Sequence, residues 1–226
     1  MQKIEVGYGI WLYENVFPDS LNLIERVEST IKQSNGIYSW KEAMVGWKKK
    51  IPEYRNCLDF KIAKSNNFSI IKNKSSLELQ SIWQDSYNAQ KECLEDYSSM
   101  YNIKLNYWES FNFVKYTEGH HFEEHSDHGD AYVCTVSGVG YLNDNYDGGE
   151  LYFPKLNIYI KPKAGQLYLF PSSFIYSHKS LPIKSGTKYS IVTMFDYNDN
   201  NHQYAKTATP QTAPKENKEL NIMPLN

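Results

Sequence analysis

The side chains best suited to chemistry lie between residues 116 and 129. This stretch reads Tyr-Thr-Glu-Gly-His-His-Phe-Glu-Glu-His-Ser-Asp-His-Gly and contains an H-x-D pair, His125 and Asp127. Alternate residues of an extended segment point to the same side, so both side chains can reach one ion. A third ligand, His178, follows much later. Two imidazoles and one carboxylate suit Fe(II) and leave positions open for O₂, which predicts a non-haem iron site.

Four other histidines could be mistaken for ligands. His120, His121 and His128 lie beside the H-x-D pair, and His202 lies near the end of the chain. An isolated histidine more often has a structural role, so we expect all four to lie outside the metal site.

A lysine and a serine in the predicted strand at residues 187–196 give a second signal. Lys188 and Ser190 point to the same face of that strand. Burying an ammonium group without a partner is costly, and a dicarboxylate ligand would supply the partner. The alternative, a surface lysine on an edge strand, stays open on this pattern alone.

Three ordered motifs extend these signals over about residues 107 to 196. The first is Tyr116-x-x-Gly119-x-x-Phe122-x-x-His125-x-Asp127, the second combines Tyr141-Leu142-Asn143-Asp144 with Gly148-Gly149-Glu150 and Phe153-Pro154, and the third combines Gly165, Phe170-Pro171, His178 and Lys188-Tyr189-Ser190. This set resembles the 2-oxoglutarate/Fe(II)-dependent dioxygenases, specifically the prolyl 4-hydroxylase-like group.

The resemblance implies a mainly β fold with supporting helices (α+β) around a double-stranded β-helix, a jelly-roll and cupin-like core. It also implies roles for individual side chains. Iron would be bound by His125, Asp127 and His178. The co-substrate 2-oxoglutarate would be bound by Lys188 through its distal carboxylate, by Tyr116 through a hydrogen bond, and by Ser190 and Ser137 as further contacts.

The implied activity is hydroxylation of a C–H bond in a peptide or protein, most directly a peptidyl proline as in procollagen-type 4-dioxygenases. Fe(II), 2-oxoglutarate, O₂ and ascorbate would take part, and succinate and CO₂ would be released. Met194 replaces a common Trp and Leu151 a common Thr, and these departures concern the prime substrate. Two alternatives remain: the same chemistry on another side chain, a free amino acid or a nucleobase, and a cupin-like protein that binds a metal or ligand without oxidation. The paired Lys188 and Ser190 argue against the latter.

Composition limits the class of protein. The 226 residues are 41% hydrophobic and 22% charged, and the 19 tyrosines favour strands. A net charge of −2 argues against a nucleic-acid partner. The N-terminus lacks the apolar run of a signal peptide and no 18-residue apolar run occurs, so we expect a cytoplasmic protein without a membrane partner. Three scattered cysteines predict no disulfide.

The elements that must position the site follow from local patterns. We expect a strand-like segment at 4–13, a helix from Ser20, irregular structure at 35–70, and a helix from about Ser76 to Tyr97 with a core-facing stripe. Residues 40–54 are open to two interpretations, a lid or a surface loop. Residues 1–106 would support the core in the same domain, residues 107–197 would form the catalytic core, and residues 198–226 would be a polar extension. The predicted strands of the core lie near 107–116, 131–142, 149–153, 157–161, 165–170, 174–180 and 187–196.

Overall fold

The computed structural model describes residues 2–45, 49–63, 74–129, 132–198 and 200–202. Two helices, α1 (Ser20–Gln33) and α2 (Lys74–Met100), accompany a mainly β architecture. The strands of the described residues are β1 (Lys3–Gly7), β2 (Ile10–Tyr13), β3 (Lys41–Glu42), β4 (Arg55–Asn56), β5 (Leu58–Ile62), β6 (Tyr107–Trp108), β7 (Phe111–Tyr116), β8 (His121–His125), β9 (Val136–Tyr141), β10 (Asp147–Gly148), β11 (Leu151–Phe153), β12 (Ile158–Ile160), β13 (Leu167–Pro171), β14 (His178–Ser180), β15 (Ile183–Ser185) and β16 (Lys188–Asp196).

Two sheets make up most of this architecture. The major sheet has the order β1-β2-β13-β9-β16-β7-β5-β3, with β6 also paired to β16. The minor sheet has the order β12-β11-β14-β8-β4. From β7 to β16 the chain passes back and forth between the sheets, since β7, β9, β13 and β16 belong to the major sheet and β8, β11, β12 and β14 to the minor one. This alternation is that of a double-stranded β-helix, as the sequence predicted.

The helices cover the outer face of the major sheet. Both bury one apolar stripe at helical spacing, Leu23 and Val27 in α1 and Leu79, Ile82 and Leu94 in α2. These side chains share a cluster with the outward-facing residues of β7, β13 and β16. A second cluster lies between the sheets. Every residue of β9 is buried, because the strand is covered on both faces.

The N-terminal half contains more strands than the sequence indicated. Residues 35–70 were expected to be irregular, but β3, β4 and β5 lie within them, and that expectation was wrong. β5 pairs with β7 over five residues, and β4 pairs with β8. These short strands form because neighbouring strands offer backbone partners, a tertiary cause that local composition does not report.

Smaller differences occur elsewhere. Residues 4–13 form the hairpin β1–β2, in which Tyr8 and Gly9 turn the chain with positive φ. β8 and β15 were not foreseen, and the expected strand at 174–180 is a 3₁₀ turn followed by the three residues of β14. The helix expected from about Ser76 to Tyr97 is confirmed and extends further at both ends.

Within the described residues, neither helix is long and apolar enough to span a membrane. No disulfide joins the three cysteines, all of which are buried. Most of residues 198–226 lie outside the described part of the chain.

A carboxylate of α1 connects this helix to the sheet. Glu28 accepts hydrogen bonds from Lys115 Nζ at 2.8 Å and Tyr189 Oη at 2.7 Å through Oε1, and from Trp40 Nε1 at 3.1 Å through Oε2. Burial raises the pKa of Glu28, but these donors outweigh it and the net pKa is lowered. Glu28 is therefore charged at neutral pH and couples α1 to both β7 and β16.

Replacing Glu28 with Ala should lower the free energy of unfolding by about 2 kcal/mol, because three donors lose a charged acceptor at a partly buried site. Urea denaturation monitored by circular dichroism measures the change. The control is Glu25→Ala, which removes an exposed carboxylate from the same helix and should change stability little. Equal losses in the two variants would contradict the role of Glu28.

Candidate metal and co-substrate site

Pairing of β8 with β14 brings the two candidate histidine ligands together. His125 ends β8, His178 begins β14, and the two residues are direct cross-strand partners. Their ring centroids are 4.4 Å apart. Asp127 lies in a bend two residues beyond β8, and not in a continuous strand as the H-x-D argument assumed.

The three side chains converge on one point. His125 Nε2 is 3.6 Å from Asp127 Oδ1, and His178 Nε2 is 3.8 Å from Asp127 Oδ2. One ligand atom from each residue lies within 4.8 Å of the others. Ligand atoms at these separations can reach a common ion at bond lengths near 2 Å.

Backbone carbonyls orient both imidazoles. Nδ1 of His125 lies 2.8 Å from the carbonyl oxygen of Glu123, and Nδ1 of His178 lies 3.1 Å from that of Tyr176. Each Nδ1–H therefore donates to a carbonyl two residues earlier, which leaves the Nε2 lone pair for a metal. Burial and the neighbouring His178 lower the pKa of His125 to about 3, so that the ring is neutral, the form that binds a metal.

Aromatic rings support the histidines. The Phe122 ring stacks on His125 with centroids 3.5 Å apart and an angle of 12° between the planes. The guanidinium of Arg55 lies 4.7 Å from the centroid of Phe122. Phe153 and Phe170 pack against His178. These contacts restrict rotation of the rings, as a preformed metal site requires.

Ser137 contacts the candidate ligand Asp127. Its Oγ donates a hydrogen bond of 2.6 Å to Asp127 Oδ2. The sequence argument placed this hydroxyl near the co-substrate; the structure places it on the carboxylate.

Lys188 is buried at the inner face of β16. It is 2% exposed, and its Nζ donates to the carbonyl of Gly149 at 2.9 Å and to Oγ of Ser180. Nζ also lies 4.2 Å from the ring centroid of Tyr116, the cross-strand partner of Lys188. Burial lowers the pKa of Lys188 to about 7, against the opposing influence of Cys57 and Glu150. Among the described residues, the direct contacts of the ammonium group are neutral: a carbonyl, a hydroxyl and an aromatic ring.

Two contacts of Lys188 were not anticipated from the sequence. Ser180 lies two residues after His178 and therefore on the same face of β14, a spacing that could have indicated it. Gly149 belongs to the second of the three motifs. Its φ of +67° lies in the left-handed region that favours glycine, and a Cβ there would lie 2.4 Å from Ile183 Cδ1. This backbone conformation directs its carbonyl oxygen to Nζ of Lys188.

A cavity of about 810 Å³ contains all three candidate ligands together with Lys188, Tyr116 and Ser190. Ser190 is 3% exposed and faces this cavity two residues from Lys188. Met194 and Leu151, the two departures from the family pattern, also line the cavity. Part of the segment 40–54 lines the cavity through Lys41, Glu42, Met44, Val45 and Tyr54, while residues 46–48 lie outside the described residues.

The four other histidines have different partners, as expected. Nδ1 of His120 lies 3.2 Å from the backbone nitrogen of Thr117, and His121 contacts the carbonyls of Gly119 and Glu53. Nδ1 of His128 lies 2.8 Å from the carbonyl of Cys134, and Nε2 of His202 lies 3.1 Å from Asp196 Oδ2.

The donor set fits ferrous iron. It combines two imidazole nitrogens with one carboxylate and includes no thiolate. Three protein ligands leave several positions of an octahedral ion for a chelating co-substrate and O₂. The adjoining cavity, with a cation at its inner wall, can hold a dicarboxylate next to the metal.

Residues 111–196 match the family model of the 2OG-Fe(II) oxygenase superfamily, the family that the three motifs indicated. A curated relative from Acanthamoeba polyphaga mimivirus, described as "Putative prolyl 4-hydroxylase", is 27% identical over 133 residues, covering 49% of this chain and 54% of that protein. The chain thus spans about half the length of this relative.

Solved structures confirm the fold. The viral collagen prolyl hydroxylase vCPH of Paramecium Bursaria Chlorella virus-1, in its 2OG complex, has a TM-score of 0.58 at 17% identity and covers 84% of this chain and 96% of its own. A Trichoplax adhaerens prolyl hydroxylase in complex with a hypoxia inducible factor peptide fragment has a TM-score of 0.64 at 16% identity. The match covers 89% of this chain and 87% of that one. A Pseudomonas putida prolyl-4-hydroxylase has a TM-score of 0.59 at 20% identity, and the match covers 84% of this chain and 94% of that one.

Replacing either Asp127 or His178 with Ala should abolish stoichiometric binding of a divalent ion, because two remaining ligands cannot hold it. Titration with Mn(II), followed by the electron paramagnetic resonance of the unbound ion, measures this directly. His121→Ala is the control, since that imidazole contacts the carbonyls of Gly119 and Glu53 and the carboxylate of Glu123, outside the triad, and should leave binding intact. Undiminished binding by Asp127→Ala would refute the assignment of the triad.

Proposed function

We propose that this protein is an Fe(II)- and 2-oxoglutarate-dependent dioxygenase that hydroxylates a C–H bond of a peptidyl proline. The observation that carries the proposal is the convergence of His125, Asp127 and His178 at one wall of a cavity that also contains the buried ammonium of Lys188. The family match over residues 111–196 supports the chemistry. The net reaction converts the C–H bond, 2-oxoglutarate and O₂ to C–OH, succinate and CO₂.

The role of the protein would be to position the metal and the co-substrate and to exclude water from the site. His125, Asp127 and His178 would hold Fe(II), which when bound supplies the oxidising chemistry. Lys188 would hold the distal carboxylate of 2-oxoglutarate with Nζ, and Ser180 and Gly149 fix Nζ for this contact. Lysine rather than arginine predicts a single-point contact in place of a two-pronged one. Tyr116 and Ser190 would complete the co-substrate pocket.

Apolar side chains form part of the wall of this pocket. Val139, Leu151 and Val192 line the cavity near the candidate ligands. A low-dielectric wall strengthens the pairing of Lys188 with a carboxylate and limits side reactions with water. We also propose that residues 107–197 are the catalytic core and that residues 1–106 support it within the same domain.

The prime substrate is proposed to be a peptide. The mimivirus relative is described as a prolyl 4-hydroxylase, and the Trichoplax adhaerens neighbour was solved with a peptide fragment bound. Asp59 and Lys61 of β5 and Asn112 of β7 line the cavity and carry polar groups. Such a wall can contact the amide groups of an extended chain, whereas a free amino acid would leave most of it uncovered.

Incubation with Fe(II), 2-oxoglutarate, ascorbate and an array of proline-rich peptides should give succinate and a peptide that gains one oxygen, detected by mass spectrometry. His178→Ala should give neither product. Peptides without proline, free amino acids and oligonucleotides form the comparison arms. Oxygen gain in only one of these arms would change the proposed substrate to the compounds of that arm and leave the proposed chemistry intact. Absence of succinate in every arm would favour a cupin-like protein without oxidation.

Replacing Lys188 with Ala should mainly raise the KM for 2-oxoglutarate, because the distal carboxylate loses its counter-charge. The affinity of the wild-type protein for 2-oxoglutarate should also depend on pH. Since the pKa of Lys188 is about 7, the free protein loses the ammonium charge as pH rises through 7, and affinity for the dicarboxylate should fall by up to roughly tenfold per pH unit above it.

Calorimetric titration of the Mn(II)-loaded protein with 2-oxoglutarate between about pH 6 and 8.5 tests this expectation. Lys188→Ala should bind weakly with little dependence on pH, whereas the exposed control Lys184→Ala should follow the wild type. An affinity for 2-oxoglutarate that Lys188→Ala leaves at the wild-type value would remove Lys188 from the proposed contact.

A further inference from the structure

A chain of buried side-chain hydrogen bonds runs from Asp127 into the major sheet. Ser137 Oγ lies 2.6 Å from Asp127 Oδ2, Ser172 Oγ lies 2.7 Å from Ser137 Oγ, and Cys134 Sγ lies 3.0 Å from Ser172 Oγ. Ser137 is 0% exposed, and Ser172 and Cys134 are each 2% exposed. Water therefore cannot replace any of these partners without opening the core.

The number of available hydroxyl protons sets the direction of donation along this series of hydrogen bonds. Asp127 is an acceptor when ionised, so the one hydroxyl proton of Ser137 is directed to Oδ2. Ser137 Oγ must then accept at its contact with Ser172, and the proton of Ser172 is directed to Ser137. Each donor in such a chain polarises the next, which strengthens the final hydrogen bond to the carboxylate.

The backbone holds the hydroxyls in place independently of any metal. Ser137 lies in β9 and is the cross-strand partner of Phe170 in β13. Ser172 follows β13, and its backbone nitrogen donates to the carbonyl of Thr135 at 3.1 Å. Asp127, in contrast, lies in a bend after a strand of the minor sheet. The hydroxyl chain therefore connects the least regular of the three candidate ligands to the most completely buried strand pair.

We propose that Ser137, supported by Ser172, is a positioning residue of the candidate metal centre: its hydroxyl holds the carboxylate of Asp127 in the orientation in which it would bind a divalent ion together with His125 and His178. The inference rests on the metal-binding part of the proposed function and is independent of the co-substrate and the prime substrate.

Mn(II) affinity of the full chain, measured by electron paramagnetic resonance titration, provides the test. Ser137→Ala should weaken binding by roughly 10- to 100-fold, the usual effect of removing a group that orients a metal ligand. Ser137→Thr keeps the hydroxyl and should return the affinity towards the wild-type value. The control Ser86→Ala removes a hydroxyl that is equally buried but has no hydrogen-bond partner in the described structure, and it should leave the affinity unchanged.

A double-mutant cycle tests the role of Ser172. Ser172→Ala should weaken Mn(II) binding several-fold in the wild-type background and have no further effect in the Ser137→Ala background, because Ser172 acts through Ser137. A purely structural role would instead give the same effect in both backgrounds. If Ser137→Ala does not fold, as judged by circular dichroism, Ser172→Ala and Ser137→Thr still decide the question.

The outcomes separate this inference from the proposed function. Loss of Mn(II) binding in Asp127→Ala together with wild-type affinity in Ser137→Ala would overturn the positioning role and retain the metal centre. Absence of Mn(II) binding by the wild-type protein would overturn both. Weakened binding in Ser137→Ala with recovery in Ser137→Thr supports the inference whatever substrate the enzyme takes.

Discussion

The antiparallel register of β8 and β14 is the constraint on which the site depends. It sets His125 directly opposite His178 in strands separated by more than fifty residues of chain. A shift of the register by one residue would turn one imidazole to the other face of the sheet. β11 holds β14 on its other side, and β4 holds β8, so neither strand lies at an edge of the minor sheet. The two-histidine pair is thus fixed by backbone hydrogen bonds before any metal is bound.

The buried side chains of Asp127 and Lys188 determine which ligands the cavity can bind. The carboxylate of Asp127 accepts a hydrogen bond from Ser137, whereas Lys188 has a carbonyl, a hydroxyl and an aromatic ring as its direct contacts. A fully buried ammonium group with neutral neighbours has an unfavourable solvation free energy, which a bound anion would offset. Asp127 repels an anion unless a divalent ion lies between them. The arrangement therefore favours a metal and a dicarboxylate together over either one alone.

The sequence was most informative where chemistry restricts the residue type. Few side chains bind Fe(II), and His125, Asp127 and His178 were found from type and spacing. Lys188 was found because a lysine in an apolar strand requires an explanation. Ser172 gave no such signal, because its contact with Ser137 joins residues 35 positions apart and a serine is common in any loop. β5 was missed for a related reason: its pairing with β7 stabilises a segment whose own composition is compatible with a loop.

Alternation along the strands connects the N-terminal half to the chemistry of the cavity. Tyr116 and Lys188 face inward as cross-strand partners, and their chain neighbours Lys115 and Tyr189 are partners on the outer face. Glu28 of α1 binds both outer partners through the same oxygen. A single carboxylate on a helix thus holds together the two strands that carry the inward-facing tyrosine and lysine. The two strands that position the buried ammonium are therefore joined by a helix that contributes no side chain to the candidate metal centre.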